Sequence, residues 1–315
     1  MNTENVTTTF KILSLDGGGA KGVYSLGFLR ELEATAGRPL SDFFNAIYGT
    51  STGAIIATLL ALGKPVKEVI ELYKHHVPGI LGAGGPRARS AALKKVADHL
   101  YGSFEWGDFK TRIGIVATNW TKERPLVFKD QIDVTHGLKG TFLPGFGCSI
   151  SEAVQASCSA TPFFKPFYLK LKNDGDIEAR DGGFCANNPS LIAAADAIDG
   201  LKIELGQLRL LSLGVGYYPE PKRSWIQSVI QRLPTVKLLQ KTLNVSANTT
   251  EIQTRFLVPG LPHIRVSDRF ESPDLATDLL ECDLTKLNLL IQKGRDSFGA
   301  REIEISKLFN QYAKN

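Results

Sequence analysis

The chain has 315 residues, of which 43% are hydrophobic and 22% are charged. This composition excludes a disordered or fibrous chain and provides enough apolar residues for one large globular domain or two small ones. The 37 Lys and Arg residues exceed the 32 Asp and Glu residues, giving a net charge of +5. The basic residues form no run typical of nucleic-acid binding, so we expect no nucleic-acid polymer as a partner. A mild basic excess is compatible with an anionic membrane or a nucleotide.

The N-terminus and the cysteines indicate a cytoplasmic protein. Residues 1–9 are polar and lack the basic-then-apolar pattern of a signal peptide. The four cysteines have no metal-site spacing, which predicts free, mostly buried thiols in a reducing compartment. The most apolar stretch, residues 54–62, is far shorter than the roughly 20 residues that span a bilayer. We therefore expect contact with a membrane only from its surface.

Strand and helix patterns alternate through the first two thirds of the chain. Apolar runs predict strands at residues 10–15, 43–48, 112–117, 125–128, 167–171, 177–180 and 208–213. Apolar periodicity predicts helices at residues 23–36, 54–63, 65–76, 91–100, 150–157, 189–198, 225–251 and much of 275–309. Loops or turns are expected at residues 78–90, 118–124, 135–147 and 173–176. The alternation predicts an α/β fold with a central, mostly parallel sheet and helices on both faces.

We predict one domain spanning residues 1–315. Its motif-bearing core covers about residues 10–215, and a helical C-terminal part covers about residues 216–315. No stretch between these parts has the composition of a linker.

One stretch combines a strand, a sharp turn and a helix around a serine. The apolar residues 43–48 lead into Gly-Thr-Ser-Thr-Gly at residues 49–53, and a small-residue helical pattern follows at once. This order is typical of a nucleophile elbow, which lifts a serine hydroxyl off the end of a sheet. We expect Gly49 and Gly53 to be glycines because side chains there would collide with the neighbouring strand and helix. Ser51 is therefore the candidate nucleophile.

A glycine-rich loop follows the first predicted strand. Residues 16–22 read Asp-Gly-Gly-Gly-Ala-Lys-Gly and open a helix, with Lys21 in its first turn. Backbone amides of Gly17, Gly18 and Gly19 can point into one cleft, where they would stabilise an oxyanion. The loop also fits a dinucleotide fingerprint, but the acidic residue expected about 20 positions later is absent. A Walker loop is excluded by the lack of its Lys-Ser or Lys-Thr ending. A plain tight turn is the remaining alternative.

An activated serine needs a base, and the chain offers two kinds. Its histidines are His75, His76, His99, His136 and His263. Only His263 comes late enough in the chain for a Ser-Asp-His order. Alternatively, Asp181 of an Asp-Gly-Gly segment could accept the proton directly if its surroundings raise its pKa. A simple Asx turn without a catalytic role is the alternative interpretation of that segment.

These three segments together resemble the patatin-like phospholipase family. The matching residues are Asp16, Gly17, Gly18, Gly19, Lys21 and Gly22, then Gly49, Ser51 and Gly53, then Asp181, Gly182 and Gly183. The resemblance covers about residues 10–215 and implies a three-layer α/β/α sandwich. It also implies a Ser-Asp dyad of Ser51 and Asp181, with an oxyanion hole formed by Gly17, Gly18 and Gly19. Neither a metal nor an organic cofactor is required by that mechanism.

The compact layout is also similar to bacterial patatin-like effectors of cyclic-oligonucleotide anti-phage signalling. That resemblance implies membrane phospholipid as the substrate at the inner face of the membrane, a cyclic di- or trinucleotide as activator, and a homo-oligomer. The turn at residues 118–124 combines Trp120 with basic residues, which suits a nucleotide, and Arg87 and Arg89 do so less clearly. A solvated turn is the alternative. Phenylalanines that could line an acyl channel or simply belong to the core are Phe142, Phe146, Phe163 and Phe164.

The sequence leaves other functions open. A constitutive patatin-like lipase or lysophospholipase would need no nucleotide. An inactive hydrolase could serve as a binding module, although all three motifs are intact. A nicotinamide-dependent oxidoreductase would leave Ser51 without a role.

Overall fold

A computed structural model describes residues 9–134, 139–172, 175–221 and 234–309. Within these ranges, eight strands form one sheet in the order β5-β6-β3-β2-β1-β7-β8, with β4 also paired to β3. The strands are β1 (Phe10–Leu15), β2 (Ala46–Thr50), β3 (Arg112–Asn119), β4 (Arg124–Lys129), β5 (Phe167–Leu171), β6 (Gly175–Asp181), β7 (Leu208–Leu213) and β8 (His263–Val266). The residues predicted to turn between β5 and β6 lie partly outside the described residues.

The centre of the sheet is parallel and covered on both faces. Strands β3, β2, β1, β7 and β8 run parallel, whereas β4, β5 and β6 pair antiparallel. Leu13 and Leu15 of β1 belong to a large apolar cluster on one face, and Ile12 belongs to a smaller cluster on the other. Burial on both faces explains why β1 and β7 are almost continuously apolar. The predicted three-layer α/β class with a mostly parallel sheet is confirmed.

Eleven helices surround the sheet within the described ranges. They are α1 (Gly22–Ala36), α2 (Leu40–Phe43), α3 (Thr52–Ala61), α4 (Val66–Leu81), α5 (Pro86–Tyr101), α6 (Ile150–Ser157), α7 (Gly183–Ala186), α8 (Ser190–Ala195), α9 (Pro234–Leu257), α10 (Leu284–Gly299) and α11 (Glu302–Leu308). A capping box starts α6, with Ser149 and Glu152 bonding each other's backbone amides. None of these described helices combines the length and apolarity needed to cross a bilayer.

The prediction of a loop at residues 78–90 is wrong. Helix α4 continues through Pro78 to Leu81, and α5 begins at Pro86, so only residues 82–85 connect them. The helix continues because Val77, Ile80 and Leu81 extend its buried apolar face. The free energy gained by that burial outweighs the loss of the helix hydrogen bond that proline, which has no amide hydrogen, cannot donate. Pro86 occupies the first turn of α5, where its lack of an amide hydrogen is harmless.

The C-terminal part also contains one short strand, which lies between its two predicted helical stretches. The four residues of β8 extend the sheet by pairing parallel to β7. So short a strand has no distinctive pattern in the sequence. Helix α10 packs tightly on α1, because a Cβ on Gly27 would lie 2.0 Å from the carbonyl oxygen of Ile291 and one on Gly294 equally close to that of Tyr24. Residues of the C-terminal part therefore pack in the same apolar core as residues of the first half of the chain.

Candidate active site

The ends of β2 and β6 meet along one edge of β3. Strand β2 pairs with residues 112–116 and β6 with residues 117–119, while β4 occupies the opposite edge. Because β2 runs parallel to β3 and β6 antiparallel, their C-terminal ends point at each other. Ser51 follows the last residue of β2, and Asp181 is the last residue of β6. The topology therefore brings these two side chains together across 130 positions of sequence.

Ser51 and Asp181 form a direct hydrogen bond. The hydroxyl of Ser51 donates to Oδ2 of Asp181 at 2.6 Å. The other carboxyl oxygen, Oδ1, accepts the amide of Gly183 at 2.7 Å. Asp181 is only 3% exposed, and this burial raises its pKa to about 6, against the opposing effect of its hydrogen bonds. A carboxylate with this pKa is ionised at neutral pH, yet it accepts a proton more readily than an ordinary aspartate.

The elbow has the strained backbone that such a turn requires. Ser51 has φ 53° and ψ −122°, a region that residues with side chains seldom occupy. A Cβ on Gly49 would lie 2.3 Å from the carbonyl oxygen of Gly53, and a Cβ on Gly53 would lie 2.3 Å from that of Leu15. The prediction that side chains at Gly49 and Gly53 would collide with their neighbours is confirmed.

The glycine loop lies beside the dyad, but its three glycines are not equivalent. The amide of Gly17 donates to the carbonyl oxygen of Asn187 at 3.1 Å, and the Asn187 side chain donates back to the Gly17 carbonyl at 3.3 Å. Gly17 is therefore already engaged, which removes it from the predicted oxyanion donors. Among the described residues, nothing accepts a bond from the amides of Gly18 or Gly19. Both glycines line the same cavity as Ser51.

Three further glycine positions are set by close packing. Gly19 has φ +56°, and a Cβ there would lie 2.3 Å from the carbonyl oxygen of Leu279. A Cβ on Gly22 would lie 2.2 Å from Cγ2 of Thr52, and one on Gly182 would lie 2.1 Å from the carbonyl oxygen of Val116. The motif glycines thus allow the loop, the elbow and the Asp181 segment to approach one another closely.

Residues outside the motifs hold the dyad in place. The Ser157 hydroxyl accepts the amide of Ser51 at 2.8 Å and donates to the Val116 carbonyl at 2.6 Å. The Thr118 hydroxyl donates to the carbonyl oxygen of Asp181 at 2.8 Å. Neither residue is predictable from the sequence, since a single hydroxyl at the end of a helix or strand carries no distinctive signal.

A buried ion pair anchors the start of the glycine loop. Arg265 of β8 donates to both carboxyl oxygens of Asp16, at 2.7 and 2.5 Å. Its guanidinium also donates to the hydroxyl of Ser212 at 2.8 Å. Lys21 nearby is 2% exposed, and its burial lowers its pKa to about 8, with the charge of Asp16 acting in the opposite direction. The start of the glycine loop is therefore held in place by an ion pair with the C-terminal part of the chain.

The dyad opens into a mostly apolar cavity. Its empty volume, including the mouth, is about 670 Å³. Besides the dyad and the glycine loop, the walls come from α3, α4, α5, α9 and the segments around residues 160 and 280. Apolar lining residues are Ile55, Val77, Ile80, Leu81, Leu93, Ala160, Phe163, Phe164, Leu239, Leu243, Leu279 and Leu280. Phe163 and Phe164 thus face the cavity, whereas Phe146 is 38% exposed and packs against Phe128.

The histidine alternative is not supported by the geometry. Nε2 of His263 lies 3.1 Å from Oε1 of Glu251. His75, His76 and His99 contact one another on α4 and α5, with ring centroids 4.6 and 6.3 Å apart. No described histidine bonds to Ser51, and His136 lies outside the described residues.

The turn predicted to suit a nucleotide is partly a strand. Thr118 and residue 119 belong to β3, and Trp120 follows with 42% of its surface exposed. The guanidinium of Arg180 lies 4.5 Å from the ring centroid of Trp120, and the ring of Phe184 lies 5.5 Å away. Arg89 lies in α5 and donates to the carbonyl oxygen of Leu81 at 2.8 Å. A nucleotide site in this turn stays a prediction.

This combination of sheet, elbow and glycine loop defines a family. A model of the family described as patatin-like phospholipase matches residues 13–194, and the chain belongs to that family. The matched range includes the glycine loop, the elbow and the Asp-Gly-Gly segment, which confirms the resemblance drawn from those motifs.

Particular relatives are similar over most of the chain. A cUMP-AMP-activated phospholipase of Escherichia coli is 48% identical over 295 residues, covering 94% of this chain and 92% of that protein. A cGAMP-activated phospholipase of Vibrio cholerae is 27% identical, covering 67% of this chain and 65% of that protein. The crystal structure of VipD from Legionella pneumophila has a TM-score of 0.53 at 14% identity, covering 96% of this chain and 67% of that one. That structural likeness supports the fold alone.

Proposed function

We propose that Ser51 and Asp181 form a catalytic dyad that hydrolyses fatty acyl esters of membrane phospholipids. The observation that carries this proposal is the 2.6 Å bond between the Ser51 hydroxyl and a buried carboxyl at the wall of an apolar cavity. Family membership supplies the reaction class.

The geometry suggests a sequence of steps in which each proton transfer has a defined donor and acceptor. Ser51 Oγ attacks the ester carbonyl carbon as its proton passes to Asp181. The oxyanion accepts hydrogen bonds from the free amides of Gly18 and Gly19. Collapse expels the lysophospholipid alkoxide, which takes the proton from Asp181 and leaves an acyl group on Ser51. Water then attacks the acyl-enzyme as Asp181 accepts one of its protons. Collapse breaks the bond between the acyl carbon and Ser51 Oγ, which takes that proton back from Asp181, and the fatty acid leaves.

The cavity suits an acyl chain rather than a polar substrate. Its walls beyond the dyad are mainly aliphatic and aromatic side chains from four helices and from the segments around residues 160 and 280, so burying a hydrocarbon chain there is favourable. The polar groups gather at one end, where the ester would lie. We infer that the protein acts peripherally at the inner face of the membrane, where such substrates are presented.

We further propose that a cyclic dinucleotide activates the enzyme. The relative that covers nearly all of the chain is named for activation by cUMP-AMP, and other relatives for activation by cGAMP. Since the 48% identity extends over 295 residues, it includes the region after residue 215, where no motif explains similarity. We expect cUMP-AMP or another cyclic di- or trinucleotide to switch on hydrolysis, and ligand-driven homo-oligomerisation stays a prediction.

The test measures fatty acid released from phosphatidylglycerol-containing vesicles by purified protein, with and without cUMP-AMP and 3′,3′-cGAMP. We expect strong release with one nucleotide and little without it, and none from Ser51→Ala. Equal release in all conditions would favour the constitutive lipase instead. No release under any condition by folded wild-type protein would favour the inactive binding module.

A further inference from the structure

The outer face of helix α9 carries a row of exposed apolar side chains. Leu238, Val245, Ile252 and Phe256 are 64%, 63%, 56% and 73% exposed. Three of them follow at seven-residue intervals and Phe256 comes four residues later, which places all four on one face of the helix. We call these four residues the outer stripe. Soluble proteins seldom leave several large apolar side chains exposed along one helix face without a binding role.

The opposite face of α9 belongs to the wall of the candidate active site. Leu239 and Leu243 are buried and line the cavity beside Ser51. A Cβ on Gly183, next to the dyad aspartate, would lie 2.6 Å from Leu243. The outer stripe is therefore separated from the cavity by about one helix diameter, roughly 10 Å. Whatever covers the outer stripe therefore lies within about one helix diameter of the cavity.

The charges around the outer stripe favour an anionic surface. Lys241 and Arg255 are exposed on α9, whereas Glu251 turns inward. The Glu251 carboxylate lies 3.1 Å from His263 and 3.1 Å from Arg255, with a side-chain exposure of 14%. It therefore offsets the charge of Arg255, and the net positive charge beside the outer stripe comes from Lys241. A helix with exposed apolar residues flanked by basic groups is typical of a lipid interface with negative head groups. The net charge of +5 on the whole chain has the same sign.

A second copy of the chain fits this face less well. A two-fold contact between two outer stripes would bring the same basic residues of both copies together. Like charges close to an apolar contact oppose association. The same charges are favourable against anionic lipid.

Resting on the proposed function, we propose that the outer stripe of α9 is a membrane-docking surface that seats on anionic phospholipid bilayers. Docking by this face places the phospholipid bilayer, which contains the substrate, against the helix that forms one wall of the cavity. The apolar side chains enter the boundary between head groups and acyl chains, and Lys241 and Arg255 stay at the level of the phosphates.

The test uses the double variant Ile252→Glu/Phe256→Glu and measures cosedimentation with vesicles of phosphatidylcholine and phosphatidylglycerol. Measurements are made with and without cUMP-AMP. The matched control is Ile303→Glu, since Ile303 is 65% exposed on α11, away from the outer stripe. We expect at least a tenfold loss of vesicle binding in the double variant and none in the control. Lys241→Glu should weaken binding to these vesicles severalfold and leave binding to pure phosphatidylcholine vesicles unchanged.

Folding and catalysis are checked separately from docking. Turnover of a water-soluble short-chain ester should be unchanged in the double variant, because its substitutions lie outside the cavity. Vesicle binding is also measured in Ser51→Ala, so docking is tested even if the proposed hydrolysis fails. Wild-type vesicle binding by a folded double variant would overturn the inference. A double variant that instead loses self-association in sedimentation, with vesicle binding intact, would assign the outer stripe to contact between copies.

Discussion

The balance between desolvation and hydrogen bonding at Asp181 determines its proposed role as a base. Burial raises its pKa, while the bonds from Ser51 and Gly183 limit the rise to about 6. The ionised form is required to accept the serine proton. We expect kcat/KM for a soluble ester to be constant above pH 7 and to fall tenfold per pH unit below about pH 6. A profile with its midpoint near pH 4 would contradict a raised pKa at Asp181.

The same carboxyl should reduce the stability of the wild-type protein. Its pKa rises from 3.8 in the unfolded chain to about 6 in the fold, so the folded state binds the proton more tightly. The ionised carboxylate therefore destabilises the fold fully above pH 6, and the effect disappears as pH falls below 4. A pKa raised from 3.8 to about 6 corresponds to roughly 3 kcal/mol.

Asp181→Asn should consequently be inactive but more stable than the wild type at pH 8. An amide can keep both hydrogen bonds by accepting from Gly183 and donating to Ser51. Urea unfolding at pH 8 should give a gain of up to about 3 kcal/mol that shrinks toward pH 4. A gain that stays constant across this pH range would show that desolvation of the charge is not its cause.

At the scale of elements, contacts between backbones determine how closely the elbow approaches the glycine loop. Gly53→Ala would place a methyl group 2.3 Å from the carbonyl oxygen of Leu15. Ordinarily a glycine-to-alanine change stabilises a helix by about 1 kcal/mol. We expect a loss of stability and at least a tenfold loss of ester turnover, because β1 or α3 must shift.

The control for this substitution is Gly107→Ala, where nothing lies within 4 Å of an added Cβ. Its turnover should equal that of the wild type. Full activity in Gly53→Ala would show that the contact between the elbow and β1 is not required for the site.

Local patterns predicted much of this fold and site. The strand at Phe10–Leu15 and the capped helix at Ile150–Ser157 have the predicted bounds, since their burial and capping signals are contained within each segment. The nucleophile elbow and the Asp-Gly-Gly segment were recognisable for the same reason. Pro78 misled the prediction, because tertiary burial of α4 decided the outcome rather than the local preference of proline.

Contacts between distant segments could not be predicted. Three hydrogen-bonded contacts each join segments more than 100 residues apart. They link Ser157 to the elbow, Asn187 to Gly17, and Arg265 to Asp16. Nothing in the local sequence of either partner indicates the other. The single-domain organisation also stays a prediction, which the packing of α10 on α1 supports.

At the scale of the whole molecule, the buried pair of Asp16 and Arg265 links the C-terminal strand to the glycine loop. Arg265→Ala would leave the Asp16 carboxylate buried without its partner. We expect a loss of about 3–5 kcal/mol in the free energy of unfolding, measured by urea denaturation. Arg255→Ala is the control, because that side chain is 67% exposed and its loss should cost less than about 1 kcal/mol. Equal effects of the two substitutions would contradict a supporting role for the buried pair.

The central claim is that Asp181 activates Ser51 for attack on an acyl ester. Labelling with a long-chain alkyl fluorophosphonate tests it directly, since the attacking serine oxygen displaces fluoride and keeps the phosphorus group. Peptide mass spectrometry of the protein, incubated with cUMP-AMP, should find the label on Ser51 in the wild type. The labelling rate in Asp181→Asn should be at least a hundredfold lower. Label on a different serine, or an unchanged labelling rate in Asp181→Asn, would contradict the dyad.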